Sequence, residues 1–188
     1  MLPPCNHMGK IKLFFDMDGT IVKMNQPING VEDLFSDGFF SRLKPYENLL
    51  QAVKILIKDY SKKYSVHILT YVCGEEDKKE KNQWLDQYLP EVQCENRYFL
   101  DRGEDKVNNF KEFNWSYVLV DDNFKNYMKW KESGGTSIYC MNGLNTREDK
   151  EITEMISYDS TPKMIADEIN YQVVHSIMKR FSEGRIEE

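Results

Sequence analysis

No stretch of the sequence approaches the run of about 18 apolar residues that a membrane span requires. The first residues, Met1 to Lys10, hold no hydrophobic segment of signal-peptide type, so a cytoplasmic protein with no membrane partner is expected. Cysteine is scarce: Cys5, Cys73, Cys94 and Cys140 stand singly, without the close pairing of a zinc ribbon or a redox motif, and are expected as reduced thiols. Cys73 lies three residues after Thr70, but no histidine pattern beside it supports an activated thiolate. His7, His67 and His175 are too scattered to form a metal cluster. Positive charge is also short, with 25 Lys and Arg against 31 Asp and Glu, a net charge of -6 and a pI near 5.2. That balance excludes a broad phosphate-neutralising surface and hence duplex nucleic acid as a partner, while leaving room for a small anion in a locally positive pocket. There is no internal repeat and no low-complexity tract.

What is present is enough for one folded unit. A chain of 188 residues with 40% hydrophobic and 30% charged residues can bury about 70% of its unfolded-state surface around a single core. One domain over 1–188 is therefore expected. Apolar runs rich in β-branched and aromatic residues at Ile11–Phe15, Ser65–Leu69, Arg97–Leu100, Ser116–Val120 and Thr136–Cys140 read as buried strands. Between them Leu49, Leu50, Val53, Leu56, Ile57 and Tyr60 recur at helical spacing, with Pro45 expected in the first turn. Helices are predicted over Glu75–Tyr88 and Asn123–Glu132, the latter stopping before Gly134 and Gly135. Such alternation implies parallel strands, right-handed crossovers and helices on both faces: an α/β, doubly wound, Rossmann-type parallel sheet. The segment 23–44, with Phe35, Phe39 and Phe40, fits the alternation least and reads as a small inserted cap. Thr161 as N-cap and Pro162 at the first helical position open a C-terminal helix over 162–182.

Four features fall at or just beyond the carboxyl ends of predicted strands, the edge where such sheets bind ligands. They are Asp16-Met17-Asp18-Gly19-Thr20, Thr70, Lys106 in the loop after Tyr98-Phe99-Leu100, and Asp121-Asp122. Phosphoryl transfer needs an in-line nucleophile, positive charge on the equatorial oxygens and a proton donor for the leaving oxygen. Asp16 is the candidate nucleophile. Its attack on a phosphate dianion requires the repulsion to be offset, which a divalent cation held by Asp16 and by Asp121 or Asp122, together with Lys106, would do. Asp18 is placed to protonate the leaving group and then to activate water, with its backbone carbonyl towards the cation. Gly19 permits a sharp turn, the amides around Gly19 and Thr20 are candidate phosphate donors, and Thr70 offers a hydroxyl. An oxygen-only ligand set suits Mg²⁺. Each feature alone is a common turn or loop signal; their joint placement is what carries the reading.

This constellation resembles the haloacid-dehalogenase superfamily, whose first motif is Asp-x-Asp-Gly-Thr/Val after a buried strand, followed by Thr/Ser, Lys and a paired acidic motif. The resemblance spans roughly residues 11–145. It implies Asp16 as nucleophile, Asp18 as acid and base, Asp122 as a direct metal ligand and Asp121 behind it. Within the superfamily the chain looks most like the cytosolic 5'(3')-deoxyribonucleotidase group. The features shared are the short region before Lys44-Pro45-Tyr46, Trp84-Leu85, Asp105-Lys106, and Gly134-Gly135 through Asn142-Gly143. Thr70-Tyr71-Val72 departs from the small residue often found after the threonine in that group.

The resemblance implies Mg²⁺ as cofactor and a small phosphate monoester, a (deoxy)nucleoside monophosphate, as substrate; a pocket lined by Phe35, Phe39 or Phe40 of the cap segment favours a flat base. A phosphosugar or other small metabolite is the alternative on the same chemistry. A non-catalytic binding protein of the same fold is the alternative of another class, and the presence of both Asp16 and Asp18 speaks against it. Haloalkanoate dehalogenation does not call for the acidic pair at Asp121-Asp122. The sequence leaves the oligomeric state open.

Overall fold

The structure, a computed structural model, describes residues 9–24, 38–145 and 152–184. The order of elements is β1 (Ile11–Phe15), α1 (Glu47–Asp59), β2 (Tyr64–Val72), α2 (Glu75–Tyr88), β3 (Arg97–Asp101), β4 (Tyr117–Asp121), α3 (Phe124–Glu132), β5 (Thr136–Met141), β6 (Met155–Ser157) and α4 (Pro162–Ser182). The strands form one six-stranded sheet in the order β3-β2-β1-β4-β5-β6, and every pairing is parallel. With its helices this is the doubly wound α/β sheet expected from the alternation. Among the described residues no helix is long and apolar enough to cross a membrane, and Cys73, Cys94 and Cys140 are free.

β1 lies at the centre, pairing with β2 from Ile11↔Tyr64 to Phe15↔Ile68 and with β4 from Lys12↔Tyr117 to Phe15↔Val120. A strand covered on both faces has no reason to alternate, which is why Leu13-Phe14-Phe15 is continuously apolar and fully buried. Leu13 and Phe15 join the larger core with Leu49, Val53 and Leu56 of α1, Trp84 and Leu85 of α2, and Ile165, Ile169 and Val173 of α4. Phe14 faces the other side, packed with Trp130 of α3, Leu119 and the rings of Tyr98, Phe110 and Tyr117. Burial of a phenylalanine side chain contributes roughly 1.5–3 kcal/mol, so the nucleophile candidate follows directly on a firmly held strand.

Three local details differ from expectation. β2 runs on to Val72, so Thr70 lies inside the strand. Pro45 is not in the first turn of α1; it precedes the N-cap Tyr46 and bridges Val22 in the antiparallel sense. β6 is an extra edge strand, only three residues long. Thr161 caps α4 through its hydroxyl, with Pro162 opening the helix.

His67 in β2 stacks on Phe14 with ring centroids 5.0 Å apart, and its Nδ1 has no partner. Burial, reinforced by Lys12, pulls its pKa down from 6.5 to about 4. The unfolded chain therefore takes up this proton first, so stability falls as pH drops from about 6.5 towards 4. Allowing for residual solvent screening, the contribution is about 1–2 kcal/mol. His67→Phe should lose less stability than the wild type between pH 7 and pH 4.5 in urea unfolding. Equal losses in both proteins would show that the ring does not titrate in this window.

Candidate active site

Asp16 follows β1 and is held there by its N–H to the Val120 carbonyl, 3.0 Å. The chain then turns tightly, with Thr20 N–H and Val22 N–H both donating to the Met17 carbonyl, at 3.1 and 2.9 Å. Gly19 sits at φ +80°, and a Cβ there would meet Asp122 Oδ2 at 2.4 Å. Glycine is thus required twice, for the backbone conformation and for the close approach of the carboxylate.

Beside this turn the end of β4 brings up two acids. Asp121 is fully buried: Oδ1 accepts the Asn123 N–H at 2.8 Å, and Oδ2 accepts Lys106 Nζ at 2.7 Å and Asn126 Nδ2 at 3.0 Å. Lys106, 2% exposed, also donates to Asp16 Oδ1 at 2.6 Å. One ammonium therefore bridges the two carboxylates. Asp122 is bound more lightly, by the Thr20 hydroxyl at 3.1 Å and by Asn142 Nδ2 at 2.9 Å. Thr20 is buried and its side chain is committed to Asp122, whose N–H it also accepts at 3.1 Å.

Asp16, Asp121 and Asp122 each offer an oxygen within 4.8 Å of the others. Burial pushes Asp16 upward; Lys106 pulls it back, and Asp121, Asp18 and Asp122 push it up again, so that the net shift is upward. Burial and then the charge of Asp121 push Asp122 up to about 7. Lys106 stays protonated, held up by Asp121 and Asp16 against its own burial. Three acids share one fixed cation, and the residual negative charge, presented by oxygen donors alone, fits a hard divalent cation. Asp18 stands outside this trio. Its Oδ2 accepts Lys81 Nζ at 2.8 Å, while its Oδ1 has no partner. Thr70 is fully buried, two residues beyond the partner of Phe15 in β2, and its hydroxyl also has no partner. A buried hydroxyl left unpaired in the strand next to β1 is the kind of group a ligand oxygen satisfies.

No family model matches the sequence, and no curated protein matches it. Solved structures do match. The D,D-heptose 1,7-bisphosphate phosphatase of Burkholderia thailandensis superposes with a TM-score of 0.57 at 11% identity, over 86% of this chain and 98% of that one. The likeness is one of fold. A haloacid-dehalogenase-superfamily hydrolase of Ehrlichia chaffeensis gives a TM-score of 0.49 at 9% identity, over 89% of this chain and 98% of that one.

The cap residues fall differently from the sequence reading. Phe35 lies outside the described residues. Phe39 and Phe40 are buried in the main core, Phe40 edge-on to Trp84, so neither presents a face to a base in this arrangement. Glu80 of α2 fixes them there by accepting the N–H groups of Gly38, Phe40 and Ser41. The sequence reading gave Lys81 no role and took Asn142 only as part of the resemblance. Asn142 is buried and donates to both the Gly19 carbonyl, at 2.8 Å, and Asp122, tying the turn after β1 to the acid after β4. The signal available for it in the sequence is an asparagine between the apolar run of β5 and Gly143.

Proposed function

We propose that this chain is a Mg²⁺-dependent phosphomonoester hydrolase that works through an aspartyl-phosphate on Asp16. The observation that carries the reading is the ammonium of Lys106 clamped between Asp16 and Asp121 at the end of β1, with the buried, unpaired hydroxyl of Thr70 in the neighbouring strand β2. Bound Mg²⁺ would supply charge that offsets repulsion between Asp16 and the substrate dianion. Asp16 Oδ attacks phosphorus as the bond to the leaving oxygen breaks, and Asp18 gives its proton to that oxygen. In the second half Asp18 takes a proton from water, whose oxygen bonds phosphorus as the Asp16–phosphorus bond breaks, releasing orthophosphate. Lys106 and Thr70 bind the equatorial oxygens. Asp16 and Asp122 would be the side-chain ligands of the cation. Asp121, whose oxygens are already taken by Lys106, Asn126 and the Asn123 N–H, would stand behind them.

For substrate we propose a (deoxy)nucleoside monophosphate, on the resemblance carried by Trp84-Leu85, Asp105-Lys106 and Asn142-Gly143. A phosphosugar is the second reading: the Burkholderia neighbour is named for a heptose bisphosphate, and the burial of Phe39 and Phe40 removes two of the rings expected to hold a base.

Phosphate release from dUMP, dTMP, a purine nucleotide, a sugar phosphate and p-nitrophenyl phosphate, with Mg²⁺, Ca²⁺ or chelator, tests both. Release should need Mg²⁺, vanish with chelator and be opposed by Ca²⁺, whose looser coordination misplaces the nucleophile. Asp122→Asn should raise the Mg²⁺ requirement more than Asp121→Asn does. Full activity in chelator would defeat the metal assignment, and preference for the sugar phosphate would replace the nucleotide.

A further inference from the structure

α2 carries a run of charge, Glu75-Glu76-Asp77-Lys78-Lys79-Glu80-Lys81, that reads as a solvated helix face. Lys78 and Lys79 behave that way, pairing with Glu75 and Glu76 at the surface. Lys81 does not; it is 1% exposed. An ammonium taken out of water costs several kcal/mol unless its donors are satisfied. Its nearest partners are the Tyr71 carbonyl at 2.6 Å and Asp18 Oδ2 at 2.8 Å, with Asp77 Oδ2 at 3.9 Å and the Phe40 ring centroid at 4.9 Å. Tyr71 follows Thr70 in β2, so one nitrogen ties the strand of the phosphate-binding hydroxyl to the acid and base.

Resting on the phosphatase reading above, we propose that Lys81 is the positioning residue for Asp18. It pins Oδ2 and leaves Oδ1, which has no partner of its own, as the oxygen that carries the travelling proton. When the leaving group departs, the O–H bond on Asp18 breaks, a new one forms on the leaving oxygen, and the electron pair left on Asp18 makes a carboxylate facing the ammonium. Lys81 itself keeps all its protons. Its charge therefore acts on the step in which negative charge grows on Asp18, and its value rises with the leaving group's need for a proton.

Lys81→Met and Lys81→Arg, assayed on aryl phosphates of graded leaving-group pKa and on an alkyl phosphate, test this. Lys81→Met should lower kcat on the alkyl phosphate about 10²-fold and on p-nitrophenyl phosphate only about threefold, steepening the leaving-group dependence, with KM little changed. Lys81→Arg should recover part of the loss. An equal loss on every substrate, accompanied by a fall in Tm, would overturn the assignment in favour of a purely structural tie between α2 and β2. Wild-type inactivity on all phosphates would defeat the phosphatase reading instead. The crystal structure of Lys81→Met then decides the positioning: a displaced Asp18 carboxylate supports it, and an unmoved one overturns it.

Discussion

Asp16→Asn is expected to abolish phosphate release, by on the order of 10⁴-fold or more, while the fold survives. The amide keeps the shape of the carboxylate and can still meet Lys106, but it cannot form the acyl-phosphate and brings no charge to a cation. Stability should respond in the direction opposite to activity. Burial and the neighbouring Asp121, Asp18 and Asp122 make the ionised form of Asp16 unfavourable in the metal-free protein, with Lys106 acting against them. Removing that charge should leave the metal-free Tm unchanged or raise it. Wild-type protein with Mg²⁺ at a hundred times its Kd should gain about 2.7 kcal/mol, or roughly 5–11 °C in Tm. The variant should lose most of that gain. Near wild-type release would sink the nucleophile assignment, and a large drop in metal-free Tm would make Asp16 a structural residue.

Lys106→Met should damage the protein in both respects. Lys106 is the direct cationic partner of buried Asp121 and Asp16, and removing one member of a buried ion pair costs about 3–5 kcal/mol because the other charge stays behind. For a chain of this size that corresponds to a fall in Tm of about 6–20 °C. Added Mg²⁺ should restore part of the loss, since it supplies charge at the same carboxylates. On the proposed mechanism turnover should fall at least about a hundredfold even where the protein is folded, because the equatorial phosphate oxygen assigned to Lys106 would lose its cationic partner. A Tm within a degree or two of wild type would show that the three acids are balanced by something other than Lys106.

Where local chemistry decided the structure, the sequence was readable. The apolar run of β1 admitted only a buried strand, the Glu75–Tyr88 helix has the predicted bounds, and Thr161-Pro162 opens α4 as capping chemistry requires. The order of the motifs also placed Asp16, Lys106, Asp121 and Asp122 at one edge, and the fold brings their side chains together. Illegible were the features that depend on what lies across space. Lys81 looks like its neighbours Lys78 and Lys79 until β2 and the turn after β1 close over it. Phe39 and Phe40 looked available because nothing in the sequence shows that Glu80, forty residues away, would bind the backbone beside them. β6 is too short to leave a periodic signal, and it exists because β5 offers an open edge.

The central place of β1 also has a consequence for the newborn chain. Its register with β4 joins residues 105 positions apart in sequence, as Lys12 and Tyr117 are. At ribosomal elongation rates, Asp16 emerges roughly 5–20 s before Asp121 and Asp122 exist to meet it. During that interval Leu13-Phe14-Phe15 presents an unpaired, apolar strand edge, a template for misassembly between nascent chains. High contact order of this kind slows folding, so truncated or stalled products ending before residue 117 should be the species that chaperones hold and proteases clear.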